Sequence, residues 1–376
     1  MNIRQMKSAI AKFRHADLSI IKDEKLRAKG QKLQSKEKGF TLLELLVVIT
    51  LLAILATGAL VAFDGAGEKA QASKAANTVA VLDQGVRAYR AVSQAYPNQW
   101  DNLADPVNAN APLMSNGTTP INEDLQTILG SFDIAAALST NLGFDLEDYF
   151  EDNFGMDELQ HVFGNGIGSN GVVEPNRLHN EGTNPPDASG NGAVETEYGD
   201  FGAGDLANGV PQYISILGSV AFEDDEDLSG APNGNAGNPM NCTVGSIDIS
   251  NTWATGAAGG ADPLVINSIN DALSTERCNL VLALGFGGDA AQSTVNSAAG
   301  VIQAPTYSSA EVNPAENYGR YVGLFLLASG EKGAAADGDT VQNLVASNFL
   351  PRPRLLGFID TEGNTLDANV AAATQD

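Results

Sequence analysis

Histidine and cysteine are scarce, with three and two in 376 residues, and that scarcity removes several function classes at the outset. His15, His161 and His179 show no metal-ligand spacing, and Cys242 and Cys278 form no Cys-x-x-Cys pair. No Gly-x-Ser-x-Gly elbow or phosphate-binding loop is found; Gly285-Phe286-Gly287-Gly288 lacks the Lys-Ser/Thr that would follow a phosphate cradle and reads as a turn at a strand end. Neither catalysis nor a cofactor is expected. Basic residues are also scarce after position 39: ten Lys/Arg against 42 Asp/Glu, a net −32. Nucleic-acid binding needs clustered cations, so no nucleic-acid partner is expected.

What the rest of the chain lacks, its beginning holds. Residues 1–39 carry 11 Lys/Arg and four acids, a net +7. A basic segment before an apolar run predicts a cytoplasmic N-terminus and an acidic body on the far side of the membrane. Two thiols in a translocated body are read as oxidising-compartment partners, the alternative being two unrelated buried cysteines. A Cys242–Cys278 bridge would enclose 35 residues and stabilise by roughly 3–4 kcal/mol in the chain-entropy picture.

The apolar run extends from Phe40 to Phe63 with a single charge, Glu44. A hydrocarbon core needs about 20 helical residues, so the run spans it, and it is longer than a secretory signal core. By length alone this is a signal anchor. Two details point further. Gly39, a small residue, abuts the run on its cytoplasmic side, where a peptidase could cut. Glu44 lies within the run, where an ionisable group costs roughly 2.5–3.5 kcal/mol on insertion scales and calls for a partner. Cleavage after Gly39 would leave an α-amine on Phe40, poorly placed at the positive end of a helix. Glu44 could neutralise that amine in its own chain or in a neighbour. Such a pair adds little stability but penalises every wrong register.

The segment Gly39-Phe40-Thr41-Leu42-Leu43-Glu44-Leu45-Leu46-Val47-Val48-Ile49 resembles the processing and methylation motif of type IV pilins and type II secretion pseudopilins. The resemblance implies cleavage between Gly39 and Phe40 by a prepilin peptidase and N-methylation of Phe40. It also implies pairing of Glu44 with a neighbouring subunit's N-terminus. The implied partners are that peptidase, other pilin or pseudopilin subunits, and an inner-membrane assembly platform. The implied location is single-pass in the inner membrane with a periplasmic body, then a pilus or pseudopilus, including one at the cell surface. The expected role is a structural filament subunit, minor or specialised because residues 98–376 are bulky for a densely packed major subunit. A secretion pseudopilin and a tip adhesin are the alternatives.

One departure is the 39-residue leader, long for a mature chain beginning with phenylalanine. Its segment Ile3–Leu33 is basic and weakly amphipathic, which suits a cytoplasmic surface helix; a misassigned start, with initiation at position 33, would also account for it.

The expected fold is α+β and pilin-like: a long N-terminal helix on an antiparallel sheet, with a large loop- and helix-containing insertion. The expected divisions are a leader at 1–39, a membrane and assembly helix at 40–63, an amphipathic half at 64–97 and an extracytoplasmic domain at 98–376. One helix is expected from Phe40 to Tyr96, loosened near Gly65–Gly67 and stopped by Pro97. Its core stripe would be Ala72, Ala75, Val79, Leu82, Val86, Tyr89, Val92 and Tyr96. The following segment, Tyr96 to Leu103, resembles the one after the first helix of major pseudopilins. Helices are expected over Asn122–Leu138 and Leu146–Phe163, and loop over Gly164–Pro211. Strands are expected at Tyr213–Leu217, Asn279–Phe286, Tyr321–Leu327 and Arg354–Asp360, with a hairpin turn at Thr361–Asn364. In pilins a C-terminal disulfide often pins a variable surface loop, and the Cys242–Cys278 spacing is compatible with that. The acidic run Glu223-Asp224-Asp225-Glu226-Asp227 reads as a solvated loop, with calcium as the alternative.

Overall fold

A computed structural model describes residues 3–34, 42–104, 121–139, 144–161, 195–197, 212–222, 239–253, 269, 273–274, 277–301, 303–314, 317–330 and 341–374. The chain forms two compact units, Met1–Ala66 and Gly67–Asp376.

The first unit begins with helix α1 (Ile3–Arg14), a 3-10 turn (Leu18–Ile20) and α2 (Glu24–Gln34). Asp17 caps the turn by accepting from the Ser19 N–H at 2.9 Å, and the Ser19 side chain together with that N–H holds its carboxyl below the usual range. Asp23 caps α2, accepting from the Lys25 N–H at 2.9 Å and the Leu26 N–H at 3.3 Å. The two helices are tied together by the Gln34 amide, which donates to the Phe13 carbonyl at 2.7 Å and the Ala16 carbonyl at 2.8 Å. Leu18 is buried over Gly30, where a Cβ would stand 3.0 Å from a Leu18 methyl. Helix α3 (Leu42–Ser93) follows. It runs unbroken through Gly65 and Gly67, where a Cβ would meet nothing within 4 Å. The helix's own hydrogen bonds outweigh about 1 kcal/mol of propensity cost per glycine, so the expected loosening is absent in the isolated chain.

In the second unit, the amphipathic end of α3 buries Ala75, Val79, Leu82 and Val86 in one cluster with Tyr321, Phe325 and Phe358, the spacing of a single helix face. The helix stops at Ser93, before Tyr96: Gln94 adopts a left-handed φ of 60°, and the Ser93 hydroxyl donates to the Tyr89 and Ala95 carbonyls at 2.7 and 2.9 Å. Val92, expected in the core, is 61% exposed because the helix ends there.

The strands are β1 (Trp100–Asn102), β2 (Leu129–Asp133), β3 (Glu158–His161), β4 (Glu195–Glu197), β5 (Tyr213–Leu217), β6 (Val220–Phe222), β7 (Pro239–Val244), β8 (Ile247–Asp248), β9 (Asn279–Gly285), β10 (Val322–Ser329), β11 (Val341–Leu344) and β12 (Phe349–Ile359). The main eight-stranded sheet runs β12-β10-β9-β1-β3-β4, with β5 pairing both β9 and β2. It is antiparallel except at β1–β3. A second, four-stranded sheet pairs β7 with β6, β8 and β11. The architecture is α+β, of the pilin-like kind.

Strands β9 and β10 read as unbroken apolar runs because both of their faces are covered. Leu280, Leu282 and Leu284 join the cluster beneath α3, while Val281 and Ala283 join a second cluster with Leu103, Leu125, Leu129 and Trp253 on the opposite face.

Residues 122–138 are not one helix. Helix α4 (Glu123–Ile128) gives way to β2, then to α5 (Ile134–Ser139), because β2 gains five paired positions against β5. Of the helix expected over Leu146–Phe163, the described residues 146–161 form the turn α6 (Leu146–Asp148), which continues into a π-helical turn at Tyr149–Phe154. That turn ends at Gly155, whose φ is 70° and whose missing Cβ would stand 2.5 Å from that of Ala95; β3 follows. The region read as an insertion therefore supplies strands to the main sheet. Thr361–Asn364 is a turn, but it leads into helix α8 (Leu366–Thr374) rather than a second strand; α7 (Gly288–Ser293) precedes it in the chain.

Candidate functional site

The first residues of the apolar helix are its chemically distinctive part. Glu44 lies in the first turn of α3 and is exposed. From Leu42 to Ala59 the helix has a mean hydropathy of 2.5 and none of this stretch is buried within the chain, so by length and composition it can cross a membrane. Its hydroxyl groups are satisfied internally: Thr50 donates to the Val47 carbonyl at 2.9 Å and Thr57 to the Ala53 carbonyl at 2.8 Å. That arrangement suits an apolar surrounding, where no water would accept those protons. Gly39 and Phe40 lie outside the described residues, as does the acidic run 223–227.

In the second unit the cysteines form a disulfide, with Cα atoms 5.5 Å apart. Both residues are fully buried. The bridge joins β7 of the smaller sheet to the residue just before β9 of the larger one. The Gln342 side chain accepts from the Cys278 N–H at 2.8 Å, and the Ser219 hydroxyl accepts from the Asn279 N–H at 3.0 Å.

Two polar centres were not anticipated. Asp101 on β1 is buried and accepts a hydrogen bond from the Tyr318 hydroxyl at 2.5 Å. Gly285 and Gly287 make room for this pair: a Cβ at Gly285 would lie 1.7 Å from the Tyr318 oxygen, and one at Gly287 would lie 2.5 Å from an Asp101 oxygen. The glycines of that strand-end turn were the only signal in the sequence. Asp360, at the end of β12, accepts from the N–H groups of Glu362 and Asn364 at 3.0 and 2.9 Å and from the Asn369 amide at 2.9 Å. Burial raises its pKa, partly opposed by those hydrogen bonds. It thereby secures α8 to the sheet. Nearby, Tyr307 donates to Glu362 at 2.9 Å and receives a hydrogen bond from the Gln71 amide at 3.2 Å; burial pushes its phenol upward. Burial likewise pushes Tyr321 up to about 12.

These groups bond to main chain and to one another, as structural supports do. His15 is an exposed residue after α1, and His161 closes β3 opposite Asn102; His179 lies outside the described residues. Among the described residues no group of three or more His, Cys, Asp or Glu is placed to hold a metal ion.

Residues 34–60 match the family model described as the prokaryotic N-terminal methylation motif. That motif is the signature of prepilin-type proteins, the type IV pilins and pseudopilins, and the chain carries it. No curated protein matches the chain. No solved structure matches it either. The motif supports a structural subunit of the pilin or pseudopilin class.

Proposed function

We propose that the protein is a structural subunit of a type IV pilus-like filament. It is cut between Gly39 and Phe40 by a prepilin peptidase, methylated on the new Phe40 amine, and assembled through residues 40–63. The observation that carries this reading is the apolar stretch Leu42–Ala59, exposed throughout and headed by one acid, within a methylation-motif match. An apolar helix with no cover of its own is stable in a bilayer first and then among like helices. In this reading the N-terminus faces the cytoplasm and the body the periplasm before assembly. Glu44 meets the amine of a neighbouring subunit and selects one axial register, since a misplaced subunit would leave a charge unpaired in an apolar bundle. The bulk of residues 98–376 favours a minor or specialised subunit.

The test is expression of Gly39→Arg and Glu44→Ala beside the parent chain in cells that hold the assembly system. Gly39→Arg should abolish processing, seen as retention of the leader's full mass. Glu44→Ala should be processed yet fail to leave the membrane for the sheared filament fraction. Efficient assembly of Glu44→Ala would overturn the pairing role. Parent subunit abundant along whole filaments would overturn the minor-subunit reading, and confinement to the periplasm would favour a secretion pseudopilin.

A further inference from the structure

We propose that the helical hairpin of residues 3–34 is a lipid-binding element that lies on an anionic bilayer surface. This inference rests on the membrane-anchored reading above and goes beyond it, since anchoring requires only the apolar helix. Met6, Ile10 and Phe13 recur at steps of four and three along α1 and are 48%, 54% and 41% exposed. On α2, Leu26 and Leu33 lie seven residues apart on one face and are 59% and 51% exposed. Such spacing places each set on one side of its helix. The hairpin is nevertheless held closed, by Gln34 on the Phe13 and Ala16 carbonyls and by Leu18 over Gly30. Its fold therefore leaves its apolar faces outward instead of consuming them.

Charge identifies the occupant. Residues 3–34 hold nine Lys/Arg and three acids, and two of those acids, Asp17 and Asp23, are engaged in capping backbone N–H groups. Apolar side chains beside an excess of cations fit a surface that is apolar below and anionic above, which is the boundary of an anionic bilayer. The membrane-spanning stretch begins at Leu42, so such a surface lies within a short length of chain. A hairpin bound there would keep the Gly39–Phe40 bond beside the bilayer, where a membrane-embedded peptidase can reach it.

The experiment uses the full-length precursor reconstituted in vesicles, with a fluorophore on a single added cysteine, Ile10→Cys or Ser8→Cys; the native cysteines are paired. Positions 8 and 10 point to opposite sides of α1. Lipids with brominated acyl chains serve as the quencher. In vesicles containing phosphatidylglycerol, the label at position 10 should be quenched several-fold more than that at position 8. In phosphatidylcholine alone the difference should shrink, and Lys25→Glu, Lys29→Glu and Lys32→Glu together should abolish it in either lipid. Equal quenching at the two positions in phosphatidylglycerol, or none at either, would overturn the proposal; a label shielded only when another protein is added would assign the face to a protein. Protease protection in the same vesicles reports separately whether the apolar helix has inserted. Failure there would sink the membrane-anchored reading, and this inference with it.

Discussion

Leucine and valine stand in opposite surroundings in the two units of the chain. Between Leu42 and Ala59, Leu51, Leu52 and Leu55 are each more than half exposed, and nothing in that stretch is buried. In β9 and β10, side chains of the same kind are covered on both faces of a sheet. The apolar helix satisfies its backbone internally and needs no neighbour in its own chain to exist. The strands cannot do so, and their stability depends on partners far away in sequence. One unit is specified by local rules, the other by long-range packing, and substitutions should act accordingly.

Trp100→Ala should have the largest effect on the body. Trp100 is fully buried, lies 4.9 Å from the ring centre of Phe325 and 5.0 Å from that of Phe286, and donates its indole N–H to the Pro97 carbonyl at 2.7 Å. Its loss should cost about 3–5 kcal/mol, read from denaturant unfolding of the full chain in detergent; a cost below about 1 kcal/mol would mean that the body does not depend on this packing. Next, Cys242→Ala with Cys278→Ala should cost about 3 kcal/mol. Reducing agent should lower the parent chain's stability and leave the double variant unchanged, and a parent insensitive to reduction in the unfolding titration would count against the bridge. The smallest effect is expected from Leu52→Ala, at a side chain 58% exposed. It should move the body's unfolding by no more than about 0.5 kcal/mol. A larger shift would break the contrast and show that the body senses the apolar helix.

Legibility followed the same division. The strands at Tyr213–Leu217, Asn279–Phe286, Tyr321–Leu327 and Arg354–Asp360 were visible as apolar or β-rich runs and appear at those places. Residues 122–138 misled because Leu125, Ile128, Leu129 and Phe132 satisfy a helical spacing while the last two lie in a strand. Their period was ambiguous, and pairing with β5 decided it. The smaller sheet left no comparable trace, since its strands are short and one of them pairs in parallel. The Asp101–Tyr318 pair joins residues 217 positions apart, a distance at which no local pattern speaks.

The N-terminal character of this protein was determined by its residues alone: the basic segment 1–39, Gly39 before the apolar run, Glu44 within it, and a length sufficient for a bilayer. Each is a local property, and a helix needs only its own backbone. Tertiary structure alone decided that the disulfide runs from the smaller sheet to the residue before β9 of the larger one, and that residues 122–161 contribute strands. It also decided that residues 3–34 close into a hairpin with Met6, Ile10 and Phe13 outward. Those outcomes depend on which distant surfaces meet, because strand pairing and burial are settled between segments rather than within them.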